Sequence, residues 1–245
     1  MGADGHGQRD AQAESTADVR ERGAGGQVST RRLFMQFQAF TGCGETKTLV
    51  AALEAARVDA VLYADVNDPR GVGVLVWAVD PIVLATDVRD VLAGEAFARL
   101  ARRPEFAMLG RTYASGFEAD LDDWLLDRPR RIVLDPDRPW AIWYPLRRSG
   151  AFARLDPKGQ AAILREHGTV GRTYGEADLA LDIRLACHGL DTHDNDFVIG
   201  LVGKELHPLS HLVQAMRGTT QTSAYLESLG PFFVGRVCWQ SPARP

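Results

Sequence analysis

The chain has 245 residues, 45% of them hydrophobic, with 32 acidic and 28 basic side chains and a formal net charge of −4. That is enough apolar material to bury a substantial core, as one large domain or two fused halves, and too little positive charge for a general nucleic-acid surface. Cys43, Cys187 and Cys238 are widely separated and lack Cys-x-x-Cys spacing; this argues against a disulfide framework or a cysteine zinc site and favours a reducing compartment.

Residues 1–31 are rich in Gly, Ala, Gln, Ser and alternating charges, without the apolar stretch of a secretory signal. They read as a disordered tail that carries no chemistry. No later run is apolar enough to span a bilayer, so the expectation is a cytoplasmic protein that works without a membrane or nucleic acid. RLFMQFQAF alternates as a strand does. A turn, TGCGET, leads into KTLVAALEAAR, where Leu49, Val50, Leu53 and Ala56 follow helical spacing. AVLYADV and VGVLVWAV are strands joined by the turn residues NDPRG. DVRDVLAGEAFARLAR predicts a second helix, and the stretch from RTYASG to DDWLLDRPRR connects two halves.

The order then recurs. PWAIWYPL predicts a strand, and DPKGQAAILREHG a helix opened by Asp-Pro and closed by the glycine after His167. IRLACHG and DFVIGLV predict two strands, HPLSHLVQAMRG a helix and GPFFVGRV a closing strand. Residues 32–135 and 136–240 thus each approximate strand–helix–strand–strand–helix–strand, the split βαβ unit. Two such units can pack sheet to sheet or close into a barrel with helices outside.

His167 is the residue on which a function would turn. Ile163 and Leu164 lie one helical turn behind it on the same face, which aims the imidazole inward. A left-handed Gly168 ending the helix would leave room for a flat ligand. On spacing alone, capping of its own helix is as open as ligation. His207 and His211 have the i, i+4 spacing of metal ligands, but no Glu lies between them and Pro208 puts His207 at a helix start. Asp191, Asp194 and Asp196 suggest calcium but lack the loop glycine and distal Glu of an EF-hand, so a polar connection is expected. The single-glycine patterns GVG and VGR do not make a phosphate loop.

WYPL with its following arginines, EHGTVGRTYG, RLACHGLDTHDNDF and LVQAMRG…GPFFVG resemble, in order, motifs of the chlorite dismutase family, over roughly residues 140 to 237. That family includes peroxide-dependent coproheme decarboxylases of bacterial haem synthesis. The resemblance implies an α+β fold in which two fused ferredoxin-like units form a dimeric α+β barrel, with haem in the C-terminal half and a ring-shaped homo-oligomer, such as a pentamer. It places the iron ligand on His167.

One imidazole ligand leaves the other face of the haem open to a small oxidant, hydrogen peroxide or chlorite. Counting back from Phe197 puts Arg184 at the family's distal polar position, where a guanidinium could stabilise an anionic oxidant or assist O–O cleavage. Chlorite dismutases carry Arg there, whereas the decarboxylases carry Gln or His; the spacing from His167 is longer than in the family, and His188 is the alternative. Tyr144 matches the decarboxylases' redox tyrosine, which gives up an electron and a proton together and then removes hydrogen from a propionate carbon before CO₂ leaves. Arg148 stands where those enzymes have a lysine beside the propionate, and Leu146 replaces a methionine. Arg217 matches the family's propionate arginine, Thr222 a small hydroxyl donor, and Arg147 is a weaker candidate of the same kind. Several such contacts would favour the tetracarboxylate coproheme over haem b. The implied function is peroxide-dependent oxidative decarboxylation of coproheme to haem b. The alternatives are a haem b chlorite dismutase or peroxidase, and a haem carrier or sensor without turnover.

Overall fold

A computed structural model describes residues 17–243. Its first elements, β1 (Glu21–Arg22) and β2 (Val28–Ser29), pair as a small antiparallel hairpin. The expected tail is therefore ordered over its second part, while residues 1–16 lie outside the described residues. The order comes from polar pairing rather than from apolar burial, which is why composition did not reveal it. Gln27 donates to Ala119 O at 2.8 Å and accepts from Leu121 N at 3.1 Å, and the Glu21 carboxylate takes Arg111 at 3.0 Å and Ala114 N at 3.1 Å.

The N-terminal half contains β3 (Phe34–Thr41), α1 (Lys47–Ala56), β4 (Ala60–Asp65) and β5 (Val72–Ala78), as their patterning predicts. A short α2 (Ile82–Ala85) comes next, and the long helix expected from Asp87 is broken into α3 (Asp87–Ala93) and α4 (Glu95–Ala98), separated at an extended Gly94. The chain then runs straight into β6 (Ala101–Thr112), a strand the sequence reading merged into helix and connection. A π-helical turn (Asp123–Asp127) continues into α5 (Arg128–Leu134).

The C-terminal half follows with β7 (Trp140–Arg148), α6 (Gly150–Ala153), α7 (Pro157–Glu176), β8 (Leu181–Ala186), β9 (Phe197–Gly203), α8 (Leu206–Arg217), α9 (Thr220–Tyr225), β10 (Leu226–Leu229) and β11 (Phe233–Gln240). Every strand pairing in the large sheet is antiparallel. Its strand order is β10-β7-β11-β4-β5-β3-β6-β8-β9, and a further β7–β9 ladder closes the sheet on itself. Each half contributes its strands in the same spatial order, second, third, first, fourth: β4-β5-β3-β6 and β8-β9-β7-β11.

Strand alternation sorts side chains to the two faces of the closed sheet. Inside are Met35, Phe37, Tyr63, Leu75, Trp143, Ile183, Val198 and Phe233, all essentially sealed from solvent. Phe37 is the hub, 4.7 Å from Phe233 and 5.9 Å from Trp143 between ring centroids. Outside, α1, α3 and α4 cover the N-terminal half, with Leu49, Leu53, Val88 and Phe97 buried against the sheet. No helix among the described residues is long and apolar enough to cross a membrane.

The interior tolerates rings this large only because small residues face them. A Cβ built on Gly200 would sit 2.5 Å from the Trp143 indole, and one on Gly73 would sit 2.5 Å from Phe37 Cζ. Gly200→Ala is expected to destabilise the fold by about 1–3 kcal/mol through overpacking, read as a lower urea midpoint with an unchanged slope; an unchanged midpoint would show that the indole yields freely.

Candidate functional site

The first helix of each half follows that half's first strand, yet the two cover the sheet differently. α1 buries Leu49 and Leu53 to 1% exposure or less, whereas not one of the 20 residues of α7 is buried. The helix is well founded locally: Asp156 caps it by accepting Gly159 N at 2.6 Å, and Pro157 occupies the first turn. It runs without interruption past His167, through Gly168, to Glu176. The expected left-handed stop at Gly168 is therefore not there; helical hydrogen bonding continues through a glycine that costs only about 1 kcal/mol against alanine. Gly171 has the packing role instead, since a Cβ there would lie 3.2 Å from Met216 Cε on α8.

His167 is half-buried on α7, and its Nδ1 lies 2.9 Å from Thr219 Oγ1. The same hydroxyl donates to Met216 O at 2.8 Å, and a carbonyl can only accept. With its single proton spent there, Thr219 accepts from Nδ1–H, which leaves Nε2 with a free lone pair. That is the tautomer and the second partner of a metal-ligating imidazole. Burial, reinforced by the positive charges of Arg148 and Arg184, lowers the His167 pKa to about 4. The ring is therefore neutral at pH 7 and able to ligate. Self-capping, the competing reading, does not apply to a mid-helix side chain tied to another element.

The sheet face opposite α7 carries the other candidates by strand parity. On β7, Ile142, Tyr144 and Leu146 point outward while Ala141 and Trp143 point into the barrel. Tyr144 is buried, its ring 4.7 Å from Phe232, and desolvation pushes its phenol pKa well up. No described residue hydrogen-bonds its hydroxyl.

Arg147 and Arg148 diverge. Arg147 pairs with Asp194 at 2.7 Å at the surface, which spends the charge that a ligand would need. The Arg148 guanidinium instead turns inward and stacks 4.7 Å from the Phe152 ring and 4.6 Å from Phe197. It has no carboxylate partner among the described residues, its Nε is buried without any hydrogen bond, and burial lowers its pKa. A desolvated, unpaired guanidinium is costly unless an anion joins it.

Arg184 projects from the outer face of β8, beside Asp182 and 5.0 Å from the Trp124 ring. Arg217 and Thr222, with Ser223 and Leu226, line a cavity of about 260 Å³. The cavity is also lined by Glu227, Ser228 and Leu229; its Leu226 stands opposite Arg148 in the β10–β7 register, and its Thr222 meets Thr219 at 3.3 Å. Of the six residues expected from the sequence, Arg148 and Arg184 act electrostatically on His167, Arg217 and Thr222 line the neighbouring cavity, and Tyr144 lies on the outer face of β7.

Four neighbours escaped the sequence reading. Thr219 is 3% exposed and lies one turn from the expected Thr222. Tyr113 packs on Phe197 at 5.6 Å, its phenol raised by burial and opposed by Arg184 and Arg148. Trp124 and Asp182 complete the surroundings of Arg184. The alternation of Phe106 and Met108 towards the interior was the available signal for Tyr113, because it makes β6 a strand and turns the tyrosine outward.

The competing features lie elsewhere. His188 is largely exposed and faces Asp196 at 3.4 Å. His207 and His211 lie on the exposed side of α8 with ring centroids 5.9 Å apart. Asp191 accepts from His193 N and Asn195 Nδ2 in a turn, Asp196 from Arg148 N, and no metal-binding group of three or more side chains occurs among the described residues.

The sequence profile of the chlorite dismutase family matches residues 75–238. The chain belongs to that family. The match begins within β5, so it takes in part of the N-terminal half as well as the motifs of the C-terminal one. No curated protein matches the chain in sequence. Among solved structures, the chain is similar to a heme-binding protein from Thermus thermophilus, with 21% identity and a TM-score of 0.64 over 84% of this chain and 91% of that one. It is also similar to the chlorite dismutase of Candidatus Nitrospira defluvii in complex with imidazole, with 14% identity and a TM-score of 0.65 over 87% and 93%. A point mutant of the same Nitrospira protein matches with a TM-score of 0.65 at 14% identity, over the same shares of each chain. At these identities the likeness is one of fold: an α+β architecture on a large antiparallel sheet.

Thr219→Ala removes the acceptor that holds the His167 tautomer. Ferric haem affinity of the variant should fall about 10- to 100-fold, the usual loss for such an outer partner, measured by titration followed in the Soret region. Equal affinity would show that the hydroxyl does not orient the ring.

Proposed function

We propose that this protein binds an iron porphyrin between α7 and the outer face of its C-terminal half, and uses it for peroxide-dependent oxidative decarboxylation of coproheme to haem b. The observation that carries this reading is Arg148, a half-buried guanidinium stacked on two rings, whose Nε makes no hydrogen bond and which forms no ion pair among the described residues, Asp196 binding its backbone N instead. The site fits the group. α7, none of whose residues is buried, is the loosely packed wall of the site, His167 Nε2 is free to bind iron, and Arg148, Arg217 and the Thr222 hydroxyl are suited to carboxylates. The barrel reading, two fused ferredoxin-like units, is supported by the repeated strand order of the halves, and the ring-shaped homo-oligomer belongs to the same proposal.

When bound, the porphyrin iron supplies the centre at which peroxide accepts two electrons. The balance for each propionate is one peroxide and one proton consumed, with one hydrogen lost from the carbon next to the ring and the carboxyl released as CO₂, leaving a vinyl group and two waters. Arg148 and Arg217 hold carboxylates and orient the propionate to be cleaved. Tyr144 offers a hydroxyl free of protein partners in an apolar setting; burial disfavours its phenolate, so the group gives up its electron and proton together. Thr219 holds the proton on Nδ1 of His167 throughout, and the neighbouring aromatic side chains exclude water.

A second reading, a haem b enzyme acting on chlorite or peroxide, is favoured by Arg184, whose charge faces the same space. The two separate on ferric coproheme titrated with hydrogen peroxide. Decarboxylation predicts loss of two CO₂ masses in sequence, and Tyr144→Phe should abolish that loss while retaining porphyrin binding. Intact coproheme after several equivalents of peroxide contradicts the proposal. Oxygen release from chlorite then supports the second reading, and a Soret band without turnover supports a carrier.

A further inference from the structure

Arg184 is held from several sides. Its Nε lies 2.9 Å from Asp182 Oδ2 in an ion pair that does not make a hydrogen bond, while Oδ1 of the same carboxylate takes Arg128 Nη2 at 3.2 Å and the Asp182 carbonyl takes Arg128 Nη1 at 2.7 Å. Both guanidinium groups also lie over a single indole: Arg128 is 4.6 Å and Arg184 5.0 Å from the Trp124 ring. The indole is itself fixed, because Trp124 Nε1 donates to Tyr113 O at 3.0 Å. Trp124 and Arg128 come from the π-helical turn and α5, the connection between the halves, so this segment contributes side chains to the site.

Resting on the haem reading above, we infer that Asp182, Trp124 and Arg128 form one clamp that positions Arg184 over the open face of the porphyrin and so determines how strongly that face binds small anions. An unrestrained arginine has many rotamers and must surrender them on meeting each ligand. Here the indole restricts the guanidinium plane and the carboxylate attracts the charge as an ion pair. No described residue takes the Nη groups of Arg184, so that edge is left to donate to an anion. Two cations share one carboxylate, so the cluster keeps a positive charge and still attracts a monoanion. Asp182 and Trp124 are thus positioning residues that act through Arg184.

Fluoride is the probe, because it can only accept hydrogen bonds. It is titrated into the ferric haem-loaded protein, with the dissociation constant and the charge-transfer band as readouts and the Soret band as the control for loading. Charge alone predicts that Asp182→Asn, which removes a negative group, binds fluoride more tightly. The clamp predicts the opposite: affinity about tenfold weaker or more, the size expected for a lost charge-assisted hydrogen bond. Trp124→Leu changes no charge and should weaken fluoride likewise, whereas Trp124→Phe, which keeps an aromatic face, should stay close to wild type. Fluoride bound as tightly as in wild type, or more so, by Asp182→Asn or by Trp124→Leu overturns the clamp. Arg184→Leu separates this from the parent reading: if it leaves fluoride affinity unchanged, Arg184 does not face the bound ligand, and that placement fails with the clamp. Weakening in Arg184→Leu alone removes only the clamp.

Discussion

The constraint on which this structure turns is how differently the helices seat on the two outer faces of one closed sheet. The closed sheet presents two outer surfaces; α1, α3 and α4 seal the N-terminal one with Leu49, Leu53, Val88 and Phe97, whereas α7 buries none of its own residues against the C-terminal one. The outward residues of β7 and β9, among them Ile142, Tyr144, Leu146, Phe197 and Leu201, are nonetheless buried, in one cluster with Leu209 and Leu212 of α8 and with Val170 and Tyr174 of α7 packed against it. The helix, not the sheet beneath it, is the loosely packed partner.

Charge acts in the same place and in the same direction. Arg148 and Arg184 both reach His167 electrostatically and help to keep it neutral, and Arg148 is partly desolvated, with Asp196 acting on its charge but forming no ion pair with it. Aromatic rings, the Arg148 guanidinium without an ion pair and a neutral imidazole together suit a ligand that is apolar in its body, anionic at its rim and metal-bearing at its centre. The proximal wall is set by proton accounting: Thr219 has one proton, Met216 O claims it, and His167 must therefore donate. The open wall is set by a different device, a carboxylate and an indole shared between two arginines.

Much of this was legible in the sequence. Period-two alternation in WAIWYPL placed Tyr144 on one face, and two doubled steps further on Arg148 follows on that face. The order of elements suggested two matching halves, and the strand orders β4-β5-β3-β6 and β8-β9-β7-β11 are the feature on which the proposed pair of units rests. What escaped notice depended on contacts distant in sequence or on local rules with exceptions. The glycine after His167 reads as a stop, but the helix carries on because nothing beyond it demands a turn. β6 was hidden behind a helical pattern that breaks at Gly94. Thr219 meets His167 across 52 residues and Trp124 meets Arg184 across a connection that looked like linker; no pattern within a single segment encodes either contact. The hairpin at Glu21–Ser29 is ordered by hydrogen bonds to residues about ninety positions away, so a composition without apolar residues gave no sign of it.

The most direct measurement is titration of His167→Ala with ferric porphyrin, compared with wild type and repeated with added imidazole. The account predicts a displaced Soret band and much weaker binding in the variant, with the wild-type spectrum regained when free imidazole fills the space of the lost ring. Wild-type affinity and an unshifted band in the variant without imidazole would contradict it, because the iron would then be held by something other than His167.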